Sequence, residues 1–201
     1  MSLIPDSART SARGGLAPLA RWLHGIGVSA NAVTVVGFLL TVAGASLLAG
    51  GQPIAALVVL LVGTLADTLD GQIARAAGGG TKLGAFLDST FDRLSDAAFA
   101  TAAIWLGSSR DDRLLFWAGV VALIAGSLVP YIRAKAESLG LGASVGLAPR
   151  EARLALLVLG VAAWGATGNL QLFAAAVVVV AFLSTITTIQ RIAHVARSLH
   201  P

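Results

Sequence analysis

The sequence predicts an all-α polytopic membrane protein with six transmembrane helices and an N-terminal juxtamembrane amphipathic helix. Three observations carry that reading. Of the 201 residues, 56% are hydrophobic and only 12% are charged, half of the about 25% usual in a soluble domain. Six apolar runs each approach the ~20 residues that a helix needs to cross a bilayer, with short polar or glycine-rich connections between them. Basic residues then fall overwhelmingly on one side of the resulting topology. The absence of cysteine excludes disulfides, thiolate metal sites and cysteine nucleophiles.

Residues 1–30 form an N-terminal cytoplasmic, juxtamembrane segment, and 31–201 a single membrane domain. The segment has arginines, prolines and glycines but no continuous apolar core, so no cleavable signal peptide is expected. Within it, 13–27 suits a short helix lying at the interface, with Trp22 at headgroup level and Arg21 toward lipid phosphates. The spans then follow at 31–50, 53–76, 83–107, 114–136, 151–167 and 170–191. "NAVT" at Asn31–Thr34, opening the first span, reads by itself as a helix N-cap. Trp105, Trp117 and Trp164 fall near outer span ends and read as interfacial anchors.

An even number of spans returns both termini to one side. With that side cytoplasmic, twelve of the fourteen Lys and Arg residues lie inside or at inner helix ends: Arg9, Arg13, Arg21, Arg75, Lys82, Arg93, Arg133, Lys135, Arg150, Arg153, Arg191 and Arg197. Only Arg110 and Arg113 lie outside, beside Asp111 and Asp112. The positive-inside bias therefore orients the chain with both termini on the cytoplasmic side of the membrane.

One stretch violates the apolar pattern: "DTLDGQIARAAGGGTKLGAFLDSTFD", residues 67–92, at the inner ends of spans 2 and 3. Asp67 and Asp70 are i, i+3 neighbours on a helix and Asp88 and Asp92 are i, i+4 neighbours, so each pair shares a face. The glycine-rich turn between them folds the two faces toward each other. A carboxylate at mid-membrane costs about 2.5–3.5 kcal/mol on insertion scales. Four would approach ~10 kcal/mol, comparable with a domain's net stability of ~5–15 kcal/mol. Salt bridges or solvated helix caps explain one such residue; bound hard divalent cations, Mg²⁺ or Mn²⁺, explain four. Two metals bridged by shared carboxylates are the arrangement used for phosphoryl transfer.

Written out, the stretch is D-x-x-D-G-x-x-A-R, eight residues, then G-x-x-x-D-x-x-x-D, through Asp67, Asp70, Gly71, Ala74, Arg75, Gly84, Asp88 and Asp92. It resembles the signature of the CDP-alcohol phosphotransferases. The resemblance implies a six-span membrane enzyme that transfers a substituted phosphate from a CDP-linked donor to an alcohol and releases CMP. It further implies that Asp67, Asp70, Asp88 and Asp92 hold two Mg²⁺ ions, or Mn²⁺, against the donor pyrophosphate, and that Asp92 is the general base. Gly71, Ala74 and Gly84 would admit the cytidine and its phosphates, and Arg75 would pair with phosphate or with the acidic cluster. Asn31 and Thr34 resemble the family's N-terminal signature near the nucleotide. A homodimer is implied as well.

The acceptor has to be read downstream. Arg133, Lys135, Arg153 and Arg191 end or begin spans 4, 5 and 6 on the cytoplasmic side. Simple anchoring to anionic headgroups accounts for Arg133, Arg150 or Arg197 as well as a ligand role does. Lys135, Arg153 and Arg191 extend apolar helix faces, and three cations together suit a phosphate dianion. "PYIRAKAESLGLG" and "PREARL", with "LDSTFDRLSDAAF" upstream, are similar to an actinobacterial branch of the family. That similarity implies CDP-diacylglycerol as donor and inositol 1-phosphate as acceptor; glycerol 3-phosphate is the nearest rival. Nucleic acid is not an expected partner. A cation transporter is the rival from another class, but it would spread its acids through the membrane depth rather than at one face. Asp96 is expected to pair locally with Arg93 or Arg75, and His24, His194 and His200 show no ligand spacing.

Overall fold

The structure is a computed structural model. It describes residues 6–143 and 145–199, with side chains from residue 16 onward; Arg9, Arg13 and His200 of the sequence reading lie outside the described side chains. Among the described residues there are seven α-helices and no strand: α1 (Asp6–Gly25), α2 (Ala30–Ala49), α3 (Pro53–Ala76), α4 (Lys82–Ser109), α5 (Arg113–Ser138), α6 (Arg150–Thr167) and α7 (Leu170–Leu199). Four of them, α2, α3, α5 and α7, are long and apolar enough to cross a membrane. Helix α4 has 28 residues but carries five charges, and α6 has 18 residues with three charges in its first turn.

Helices α2 to α7 coincide closely with the six apolar runs. The largest difference is α7, which continues eight residues past 191 to Leu199. Arg191, His194 and Arg197 extend a helix whose hydrogen bonding does not stop where its apolar face does. Helix α1 begins seven residues before the predicted 13 and passes through Pro18.

The chain divides into two compact units. The first comprises the described residues of Met1–Gly44 with Val58–Ser95, and the second comprises Ala45–Leu57 with the described residues of Asp96–Pro201. In the first unit Ser29, not Asn31, caps α2: its Oγ accepts from the Ala32 amide at 3.2 Å, and Asn31 already lies in the first turn. Gly37 and Gly63 let α2 and α3 approach closely. A Cβ at Gly63 would lie 3.4 Å from the Gly37 carbonyl oxygen, and one at Gly37 would lie 3.4 Å from Ala66 Cβ. Small residues at such crossings are how membrane helices gain packing contacts. Phe38 stacks on Phe91 with ring centroids 4.7 Å apart.

The turn joining α3 to α4 is built from its glycines. The Gly79 amide reaches back to the Ala74 carbonyl at 2.9 Å, and Gly78 and Gly79 have φ of 93° and 132°. Side chains rarely adopt those conformations, so glycine closes the helix here. Thr81 then caps α4, its Oγ1 accepting from the Gly84 amide at 2.9 Å.

In the second unit, α7 packs against α5 and α6. Leu48, Leu106, Leu115, Val161, Phe173 and Val177 are fully enclosed. Gly119 approaches Ile104, and Gly160 approaches Ala176, so closely that an added Cβ would lie 2.8 Å and 2.5 Å from them. Asp112 caps α5 through the Leu115 amide at 2.9 Å, and its second oxygen accepts from Gln171 Nε2 at 2.9 Å. Trp105 and Trp117 are exposed as anchors should be. Trp164 is not: only 5% exposed, it stacks on Phe173 with centroids 6.0 Å apart. Its position near a helix end was legible, but the direction it faces depends on how α6 meets α7.

Candidate active site

The acidic residues gather in the first unit. The Asp67, Asp70 and Asp88 carboxylates offer oxygens that all lie within 4.8 Å of one another. Helix α3 supplies the first two one turn apart, and the glycine turn brings Asp88 of α4 back to them. Asp70 is buried, while Asp67 and Asp88 are exposed. Buried Thr34, on α2, donates its hydroxyl to Asp70 Oδ2 at 2.6 Å and so fixes that carboxylate. These groups line a cleft of about 720 Å³, together with Asn31, Gly71, Ala74 and Gly84.

Three carboxylates so close repel one another, and a cation among them reverses the sign of that interaction. With no sulfur or imidazole in the set, the donors fit a hard divalent ion. Asp92, expected as a fourth member, lies outside this group; its carboxylate oxygen is 3.5 Å from Arg93 Nη1. Arg75 is exposed, and its Nη1 would lie 3.7 Å from a Cβ placed on Gly71.

The cleft also uses residues that the motif does not name. His24, Val28 and Ser29, around the α1–α2 connection, and Gly79, Gly80 and Thr81 of the turn all line it. No spacing rule singles out His24. It arrives because α1 ends at Gly25 and the chain reverses through Gly27, whose φ is 85°.

The basic residues are in the second unit, and they do not share one environment. Arg153 is 7% exposed; its Nη1 donates to Ser184 Oγ at 3.2 Å and its Nη2 lies 3.6 Å from Asp96 Oδ2. Arg191 donates from Nε to the Val145 carbonyl at 2.9 Å and from Nη1 to the Val129 carbonyl at 2.6 Å. It thereby ties the α5–α6 loop to α7, as does His194 Nε2, 3.1 Å from the Gly142 carbonyl. Arg133 pairs with Glu137 at 2.8 Å in an exposed i, i+4 bridge, and Lys135 is exposed.

Asp96 corrects a sequence expectation. Its partners are not Arg93 or Arg75 but two arginines of α6: Arg150 Nε at 3.2 Å and Arg153 Nη2 at 3.6 Å. Arg93 is instead beside Asp92, and a contact spanning more than fifty residues carries no local sequence signal. Ser184 was missed for the same reason.

A family profile described as CDP-alcohol phosphatidyltransferase matches residues 27–195. A phosphatidylinositol phosphate synthase of Mycobacterium marinum is 38% identical over 162 residues, 80% of this chain and 69% of that protein. The crystal structure of the Mycobacterium tuberculosis phosphatidylinositol phosphate synthase with CDP-DAG bound superposes with a TM-score of 0.83 at 34% identity, covering 89% of this chain and 92% of the other. A second structure of that enzyme, in complex with manganese and citrate, also gives 0.83 at 34% identity, over 90% and 88% of the two chains.

Proposed function

The chain belongs to the CDP-alcohol phosphatidyltransferase family, and from that premise we propose that it transfers the phosphatidyl group of CDP-diacylglycerol to inositol 1-phosphate, giving phosphatidylinositol phosphate and CMP. The observation that carries the reading is the Asp67–Asp70–Asp88 cluster, set in a cleft whose wall includes Gly71, Ala74 and Gly84. The names of the similar enzymes support the choice of donor and acceptor.

Asp67, Asp70 and Asp88 would hold the divalent metal, which when bound neutralises pyrophosphate charge and improves CMP as a leaving group. Two Mg²⁺ ions, with Mn²⁺ as substitute, are part of the proposal. Thr34 keeps Asp70 oriented toward the cleft. The small residues Gly71, Ala74 and Gly84 leave room for the nucleotide and its phosphates to approach backbone, with Asn31 and Thr34 beside them and Arg75 at the phosphate side. Asp92 accepts the proton of the attacking hydroxyl. The acceptor oxygen then bonds to the lipid-linked phosphorus, and the pyrophosphate bridge to CMP breaks. Positioning and electrostatics supply most of the acceleration in such a transfer.

Lys135, Arg153 and Arg191 would bind the acceptor's own phosphate, with Arg133 a weaker contributor because Glu137 already engages it. The proposal includes six spans, α2 to α7, with α1 lying at the interface, and termini and site on the cytoplasmic side. The exposed Trp22 and the positive-inside bias support it. It also includes a homodimer.

The test supplies purified protein with CDP-diacylglycerol, Mg²⁺ and one acceptor at a time, reading CMP release. Inositol 1-phosphate should support release, glycerol 3-phosphate and free inositol should not, and a chelator should abolish it. Release with glycerol 3-phosphate alone would replace the acceptor; ion flux without any CMP would replace the enzyme.

A further inference from the structure

Asp96 is not in the group formed by Asp67, Asp70 and Asp88, yet two arginines of α6 converge on it. Its Oδ1 lies 3.2 Å from Arg150 Nε and its Oδ2 lies 3.6 Å from Arg153 Nη2. From the other side Arg153 is held by Ser184, which is fully buried, at 3.2 Å. Helices α4, α6 and α7 thus fix one guanidinium group among them. A long arginine side chain left without such ties would lose rotamer freedom on binding a ligand, which weakens binding.

We propose that Asp96 is a positioning residue for acceptor recognition: by clamping Arg150 and Arg153 to one carboxylate, with Ser184 as the second tie, it presents Arg153 ready-oriented to the acceptor phosphate. This rests on the reading of Arg153 as a phosphate ligand. It also makes Arg150 part of the acceptor site rather than a lipid anchor.

The sign of one substitution separates positioning from bulk charge. Asp96→Asn removes a negative charge beside a cationic site, so electrostatics alone would strengthen phosphate binding and lower the KM for acceptor. Positioning requires the reverse. Losing the ion pair to Arg153 together with the charged hydrogen bond from Arg150 should raise that KM by roughly ten- to a hundredfold, with the KM for CDP-diacylglycerol unchanged. Asp96→Glu should restore most of the loss, and Ser184→Ala, which leaves the charge untouched, should raise the acceptor KM by a smaller factor.

The assay titrates inositol 1-phosphate and glycerol 3-phosphate on wild type and variants, with CDP-diacylglycerol binding as the check on folding. If Asp96→Asn does not fold, Ser184→Ala decides between the two readings, because it removes a tie on Arg153 without changing the charge. An active wild type with an unchanged or lowered acceptor KM in Asp96→Asn, or in Ser184→Ala where Asp96→Asn does not fold, overturns the role of Asp96 alone. A wild type that uses neither phosphorylated acceptor overturns the functional reading, and this inference with it.

Discussion

Asp88 and Asp92 stand one turn apart on α4 but have different surroundings. Asp88 joins the carboxylate cluster, whereas Asp92 lies apart from it beside Arg93. On the proposed reading Asp88 is a metal ligand with its lone pairs committed, which leaves Asp92 the better placed of the two to collect a proton. Asp92→Asn should therefore lower turnover by about 10²–10⁴-fold, the usual contribution of a general base, while CDP-diacylglycerol binding stays measurable. CMP release together with a donor-binding assay checks this, and full activity would remove Asp92 from the proton's path. The aspartates and the small residues of the motif were legible because their spacing is local. Their unequal roles were not, since ion pairing at Asp92 and the Thr34 bond to Asp70 depend on where other helices fall.

At the scale of elements, α2 to α6 were legible to within two residues at each end, because long apolar runs bounded by glycine and proline leave few alternatives. What escaped was orientation around each helix. Asn31 is inside α2 because Ser29 takes the cap, and Trp164 faces Phe173 instead of lipid. The first α4 turn shows how tightly such placement is drawn. A Cβ on Gly84 would lie 3.0 Å from Asn31 Oδ1 and 3.2 Å from Thr81 Oγ1, closer than side-chain carbons normally pack. Gly84→Ala must shift Asn31 Oδ1 and Thr81 Oγ1, both at the cleft wall, by a few tenths of an ångström. The expected outcome is a roughly tenfold rise in the donor KM, equivalent to about 1.4 kcal/mol, with the acceptor KM unchanged. Steady-state kinetics with each substrate varied in turn would read it.

For the whole molecule, the carboxylate cluster couples metal binding to stability. A ligand that binds only the folded state adds about 2.7 kcal/mol at a hundred times its dissociation constant. Saturating Mn²⁺ or Mg²⁺ should accordingly raise the melting temperature of the detergent-purified protein. Asp88→Asn should lose that rise, yet in chelator it should melt no lower than wild type, because one like charge has left the cluster. An equal metal-induced rise in both proteins would place the stabilising ions elsewhere. The clustered aspartates come from one contiguous stretch and could be seen in the sequence. The partners of Arg153 and Arg191 come from helices far apart in the chain, so only the folded second unit discloses them.

The last of the boundaries between the two units passes through α4 between Ser95 and Asp96. Every residue assigned to the lipid-linked donor precedes it, and every residue assigned to the acceptor follows it. Inheritance can act on the two tasks separately. A descendant gene could acquire a different alcohol by changes downstream of codon 95 while its activation chemistry passed on unaltered.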